Sequence, residues 1–161
     1  KKFQVCAKNL ESNIEKVLYG SDERFKLSLS PDGQWLALLF SSNAKRSLTV
    51  IPVSGGEPRE LCRYEKEDGI VFGRNCEITW APDGKYILYT MVDSKSDDPE
   101  WELCRISAEG GEPQKLGLHM NEFVNLSVHP DGRHITFSSR GHSSYEVWLM
   151  ENFLPKTENA K

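Results

Sequence analysis

The chain has 161 residues, of which 38% are hydrophobic, 10% aromatic and 27% charged, a balance too apolar and too aromatic for a disordered polypeptide. Twenty Lys and Arg against 24 Asp and Glu leave a net charge of −4, which offers no general attraction to nucleic acid or to an anionic membrane surface. No apolar run approaches the ~20 residues of a membrane-crossing helix, so membrane insertion is not expected.

The chain starts Lys1-Lys2-Phe3, without an initiator Met or a signal-peptide pattern, and reads as a processed chain or an excised piece. Two short apolar stretches follow, around Val5-Cys6 and Lys16-Val17-Leu18. Next comes a strict alternation, Phe25, Leu27 and Leu29 against Lys26, Ser28 and Ser30, whose period of two predicts a strand. It runs into Pro31-Asp32-Gly33 and then into an apolar second strand, Trp35 to Phe40. Pro presets the turn, Asp suits its third position and Gly accepts the positive φ that closes a hairpin, so Asp32 is read as a turn residue, not a metal ligand or catalytic acid. A third strand, Leu48 to Val53, leads to Gly55-Gly56-Glu57-Pro58 and a fourth, Arg59 to Cys62.

The same order then recurs. Ile78 and Trp80 precede Pro82-Asp83-Gly84, and Tyr86 to Thr90, Leu103 to Ala108, Gly110-Gly111-Glu112-Pro113 and Gln114 to Leu116 complete a second unit. Val124, Leu126 and Val128 precede Pro130-Asp131-Gly132, followed by His134 to Ser138 and Tyr145 to Met150, with no second Gly-Gly turn. The Pro-Asp-Gly triplets are 51 and 48 residues apart and the Gly-Gly turns 55. Aligning Val5-Cys6 with Leu103-Cys104 makes Lys16-Val17-Leu18 fall on Gln114-Lys115-Leu116 without a gap, so residues 3–19 read as the last two strands of an earlier unit. The expected inventory is thirteen strands and almost no helix.

Four-stranded meanders repeating every 40–50 residues are the blades of a β-propeller. The segments Leu-Ser-Leu-Ser-Pro-Asp-Gly-Gln-Trp-Leu-Ala-Leu (27–38), Ile-Thr-Trp-Ala-Pro-Asp-Gly-Lys-Tyr-Ile-Leu-Tyr (78–89) and Leu-Ser-Val-His-Pro-Asp-Gly-Arg-His-Ile-Thr-Phe (126–137) resemble the blade signature of TolB-like, WD-repeat-like propellers, as does Glu146-Val147-Trp148-Leu149-Met150. The expected fold is all-β, a partial propeller with about three blades. Residues 1–24 would be the last strands of a preceding blade, 25–62 and 77–117 blades, 123–152 an incomplete blade and 153–161 a tail. Such an arc breaks inside a blade at both ends, implying either a larger ring or copies that complete one another through open edges. The resemblance implies periplasmic TolB-type scaffolds, regulatory propellers and the substrate-gating propellers of prolyl-oligopeptidase-type peptidases. It leans toward a periplasmic or extracytoplasmic setting without fixing the compartment.

Strand parity sends the Pro-Asp-Gly and Gly-Gly turns to one end of the blades and the longer connections to the other. Those connections, Ser41–Ser47, Arg63–Glu77, Val92–Glu100, Gly117–Glu122 and Ser139–Ser144, are where binding groups are expected. The candidates are Arg63, Tyr64, Arg74, His119, Asn121, Arg140 and His142. Arg and Tyr are favoured anchors at protein interfaces, and a protein partner is expected. The acidic loop Asp93 to Glu100 has Lys95 where a calcium ligand belongs and no turn Gly, and His129 and His134 lie at the opposite end from His119 and His142, so neither metal nor cofactor is expected. Nucleophile-elbow, Walker A, dinucleotide and His-Glu-x-x-His patterns are absent from the sequence, so the reading is a non-catalytic interaction scaffold. The alternatives are a gating propeller of a larger enzyme and a small-ligand or carbohydrate-binding propeller. Cys6, Cys62, Cys76 and Cys104 have no metal spacing; they read as strand thiols, with a Cys62–Cys76 bridge across one loop as the alternative.

Overall fold

The computed structural model describes residues 2–41, 46–72, 76–97, 99–140 and 145–151. The expected arginine and histidine at 74 and 142, and the expected tail at 153–161, lie outside the described residues. Four antiparallel sheets follow one another along the chain. β1 (Phe3–Lys8) pairs with β2 (Glu15–Ser21). β3 (Phe25–Leu29), β4 (Trp35–Ser41), β5 (Arg46–Pro52) and β6 (Arg59–Arg63) form the second sheet. β7 (Ile70–Val71), β8 (Ile78–Trp80), β9 (Tyr86–Asp93), β10 (Trp101–Ser107) and β11 (Gln114–Met120) form the third, with β7 and β8 both paired to β9. β12 (Val124–Val128), β13 (His134–Arg140) and β14 (Tyr145–Glu151) form the fourth. The chain is a partial β-propeller, with the sheets as blades.

The apolar runs of the middle strands are continuous because both faces of each inner blade are covered. On β4, Leu36, Leu38 and Phe40 pack toward β1–β2 with Val5 and Tyr19. Ala37 and Leu39, between them, pack with Leu48 and Val50 toward Ile87, Tyr89 and Cys104 of the third sheet. On the far side of that sheet, Leu88 and Leu103 meet Phe123, Leu126, Ile135 and Phe137. A period of two thus feeds two separate inter-blade cores from one strand.

The three Pro-Asp-Gly turns are superimposable in their bonding. Gly33, Gly84 and Gly132 N–H donate to the carbonyls of Ser30, Ala81 and His129 at 2.9, 3.0 and 2.9 Å. Their φ values of 72°, 68° and 66° lie in the left-handed region that Gly enters without a Cβ penalty. The Asp Oδ1 accepts the N–H of Gln34, Lys85 and Arg133 at 3.0, 2.9 and 2.8 Å, so each Asp closes its turn. The N-terminal pair follows the register of the later blades: Cys6 faces Val17 as Thr49 faces Glu60 and Cys104 faces Lys115, each beside a register shift.

The strand boundaries differ from expectation in two places. Fourteen strands form among the described residues, because Ile70–Val71 adds to the edge of β9, opposite Val92 and Asp93. Two residues carry no periodicity of their own, so only the partner strand reveals them. The fourth strand of the third sheet does not stop at Leu116 but runs to Met120, since Gly117 (φ 71°) is a bulge within the strand.

All four thiols are free, and no bridge joins Cys62 to Cys76. Cys6 is exposed, whereas Cys76 and Cys104 are buried and burial pushes their thiols up to about 11 and about 12. The thiolate is the reactive species. Folded protein at mildly alkaline pH is therefore expected to be alkylated rapidly at Cys6, with Cys76 and Cys104 labelled only on unfolding. Peptide mapping after timed labelling checks this; labelling of Cys104 at the rate of Cys6 would contradict the packing.

Candidate functional site at the end of the long connections

Residues 65–71 of the connection from β6 to β8 are not an irregular loop. Glu65 begins a single 3-10 turn at Lys66–Asp68, where the Asp68 carboxylate accepts the Glu65 N–H at 2.8 Å. Gly69 closes the turn at φ 78° and β7 follows. The connection from β9 to β10 folds onto it. Ser94 donates to the Gly69 carbonyl from its N–H at 2.9 Å and its hydroxyl at 2.7 Å, and Lys95 Nζ donates to the carbonyl of Glu67. The Lys95 stem lies so close over Gly69 that a Cβ there would meet Lys95 Cγ at 2.7 Å. Two connections distant in sequence thus form one ledge, with Glu65, Lys66, Glu67 and Asp68 exposed on one part and Lys95, Ser96 and Asp97 on the other.

Arg63 ends β6, exposed, and its guanidinium forks onto the Glu60 carboxylate at 2.8 and 2.9 Å. Tyr64 is only half-exposed: its hydroxyl meets that of Tyr89 at 2.7 Å, and its ring stands edge-on to Phe72 with centroids 5.5 Å apart. Burial raises the phenol pKa of both tyrosines, so both stay protonated. His119 on β11 stands opposite Glu102 as Arg63 on β6 stands opposite Ser47, one repeat earlier; it is exposed, and so is Asn121. Arg140 ends β13, opposite Tyr145. Arg63, Tyr64, His119 and Asn121 share one end of the blades but are not joined by contacts into one cluster.

Sequence reasoning missed Glu102. It sits buried in β10 between Trp101 and Leu103, its carboxylate 2.8 Å from Lys115 Nζ and 3.6 Å from His119 Nε2. The hydrogen bond from Lys115 to Glu102 is the main cause of the raised Lys115 pKa. The matching position in the preceding blade is Ser47, so the repeat alignment itself marks Glu102 as an acid that the blade does not require.

The opposite end of the blades is stapled across the seam between the second and third sheets. Arg59 donates to the carbonyls of Ala108 and Glu109 at 2.8 and 2.9 Å across two blades, and Trp80 Nε1 donates to the Ser28 carbonyl at 3.0 Å. The crevice they span, between Trp35, Val50, Trp80 and Ala108, holds about 120 Å³, below the ~300 Å³ at which pockets for drug-sized ligands begin. At this end His129 and His134 converge on Asp131. His129 Nδ1 lies 3.1 Å from Oδ1 and His134 Nδ1 2.6 Å from Oδ2, and the two rings are edge-to-face with centroids 5.9 Å apart. The Arg133 N–H, then the two imidazoles, hold the Asp131 carboxyl far below the usual carboxylate range. The signal is the spacing His-x-Asp-x-x-His within one turn.

No family model matches the sequence. Coronin-7 from Homo sapiens is 33% identical over 140 residues, which is 84% of this chain and 14% of that protein. The chain thus spans about one-seventh of the curated relatives it matches. Among solved structures, TolB from Acinetobacter baumannii superimposes with a TM-score of 0.69 at 19% identity, over 92% of this chain and 35% of that one. A structure from a study of two prolyl endopeptidases gives 0.60 at 19% identity, over 89% and 24%.

Proposed function

Because this chain is an arc of TolB-like, WD-repeat-like β-propeller blades, we propose that it is a non-catalytic scaffold that binds a protein partner at the end carrying the long connections. The observation that carries this reading is the ledge made by residues 65–71 clasped to 93–97. Its backbone is fixed by sheet pairing and by the Ser94 and Lys95 bonds, so little ordering entropy is lost when a partner docks. Glu65, Glu67, Asp68 and Asp97 against Lys66 and Lys95 make it acidic, which suits a basic segment of the partner. Arg63, His119 and Asn121 extend the same end, and Tyr64 supports the ledge from beneath.

The test compares proteins cross-linked to the full-length protein in cells when it is wild type, when it carries Glu65→Lys, Glu67→Lys and Asp97→Lys, and when it carries Glu57→Lys and Glu112→Lys at the other end. A partner lost only with the first set supports the reading; the same partners in all three overturn it. Substrate turnover by the full-length protein that vanished with the first set would overturn its non-catalytic part.

A second reading, self-association through an open blade, is favoured by Val147 and Leu149. They alternate on β14 at 81% and 57% exposure, on the face turned away from the Ile135–Phe137 core. If copies pair there, sedimentation gives a mass that rises with concentration and that Val147→Asp abolishes. A monomer at all concentrations excludes it.

A further inference from the structure

The three Pro-Asp-Gly turns form an internal comparison. The residues flanking them are Ser30 and Trp35 in the first, Ala81 and Tyr86 in the second, and His129 and His134 in the third. All three make the same backbone bonds: Ser30, Ala81 and His129 each donate N–H to the carbonyl of Trp35, Tyr86 and His134 at 2.8 Å. The hairpin therefore closes as well with Ser and Trp, or with Ala and Tyr, as with two imidazoles. The blade does not require the histidines.

What they add is a donor set. His129, Asp131 and His134 each bring a ligand atom to one spot, and these atoms all lie within 4.8 Å of one another. In each turn Oδ1 is held by the backbone, which fixes the carboxylate plane; in the third, Oδ2 is turned toward His134. We infer that His129, Asp131 and His134 form a binding site for a divalent cation of the zinc class.

Two imidazoles and one carboxylate suit Zn²⁺, Co²⁺, Ni²⁺ or Cu²⁺, whereas Ca²⁺ and Mg²⁺ select oxygen donors. Ligands at about 2.0–2.2 Å from such an ion stand roughly 3–3.5 Å apart. The 3.1 Å between His129 Nδ1 and Asp131 Oδ1 already meets this. The 2.6 Å from His134 Nδ1 to Oδ2 is a hydrogen bond; as the ion binds, the neutral ring carries its proton on Nε2 instead, exchanged through solvent, and this pair opens by less than an ångström. The 3.2 Å bond from the Asp131 N–H to His129 Nδ1 also yields to the metal. With side-chain exposures of 61%, 34% and 31% for His129, Asp131 and His134, the ion would keep water in its remaining positions and exchange readily.

The experiment is calorimetric titration of the full chain with Zn²⁺ and with Ca²⁺. The variants reuse the protein's own turns. His129→Ala with His134→Tyr recreates the Ala81–Tyr86 pair, and His129→Ser alone recreates Ser30. The expected result is one equivalent of Zn²⁺ bound by wild type and none of Ca²⁺. The double variant should melt as wild type does and bind Zn²⁺ more than about 100-fold more weakly, beyond the ~10–100-fold cost of losing a supporting group. His129→Ser should bind with intermediate affinity, so the inference stays testable if the double variant misfolds. Co²⁺ in place of Zn²⁺ should give no thiolate charge-transfer absorption. Absence of Zn²⁺ binding by wild type, equal binding by the variants, or a thiolate band removed by Cys6→Ser would each overturn the inference.

Discussion

Trp80→Ala is expected to lower unfolding stability by about 3–5 kcal/mol, the range for deleting a large buried aromatic side chain. Trp80 ends β8 at 6% exposure, inside the core shared by the second and third sheets, and its indole N–H reaches the Ser28 carbonyl of the neighbouring blade. The substitution therefore removes packing on both sides of an inter-blade seam together with the indole hydrogen bond. At roughly 2–4 °C per kcal/mol for a chain of this size, the melting temperature should fall by about 10 °C. Trp80→Phe keeps most of the packing and loses only the bond, so about 1–2 kcal/mol is expected. Urea midpoints for both variants check the pair of values. A Trp80→Ala loss below about 1 kcal/mol would mean that the blades are not held together through this seam.

How far the sequence carries can be read from particular residues. The Pro-Asp-Gly and Gly-Gly turns were legible because their chemistry is local: a Pro, an Asp that caps its own turn and a Gly at positive φ need no distant partner. The blade strands were legible for the same reason, since alternation or a continuous apolar run lies within a few residues. What was not legible depends on contacts between distant segments. Ile70–Val71 is a strand only because Val92–Asp93 stands beside it. The ledge exists because Lys95 crosses to the Glu67 carbonyl, 28 residues away. Gly117 looked like a strand end because a positive φ inside a strand is a property of the paired register, not of the residue alone. Of the candidate site, the end of the propeller was legible from strand parity, but the partners of Arg63 and Tyr64 were not. Arg63 is held by Glu60 across a kink of its own strand, and Tyr64 is turned inward by two aromatic residues from the next sheet.

Tyr64 is where packing and binding make opposite demands. Were it an exposed interface anchor, Tyr64→Ala would weaken partner binding and leave the fold unchanged. Its surroundings argue otherwise: Phe72 stands edge-on to its ring at 82°, Phe72 in turn contacts Tyr89 at 5.9 Å, and the two phenols share a 2.7 Å hydrogen bond. Edge-to-face contacts of this kind are worth about 0.5–1.5 kcal/mol beyond buried area. With the lost area and the lost bond, Tyr64→Ala should cost about 3 kcal/mol. Tyr64→Phe should cost about 1 kcal/mol, because it takes from the buried Tyr89 hydroxyl its phenol partner. Adding Tyr89→Phe to Tyr64→Phe should then cost less than the two changes summed, a coupling of about 0.5–1 kcal/mol in a double-mutant cycle. Arg63→Ala and Asn121→Ala, exposed at the same end, should stay within about 0.5 kcal/mol of wild type, so any effect on partner capture reads as binding. Additivity of the two phenylalanine substitutions, or a Tyr64→Ala protein as stable as wild type, would return Tyr64 to the surface and place it among the groups that meet the partner.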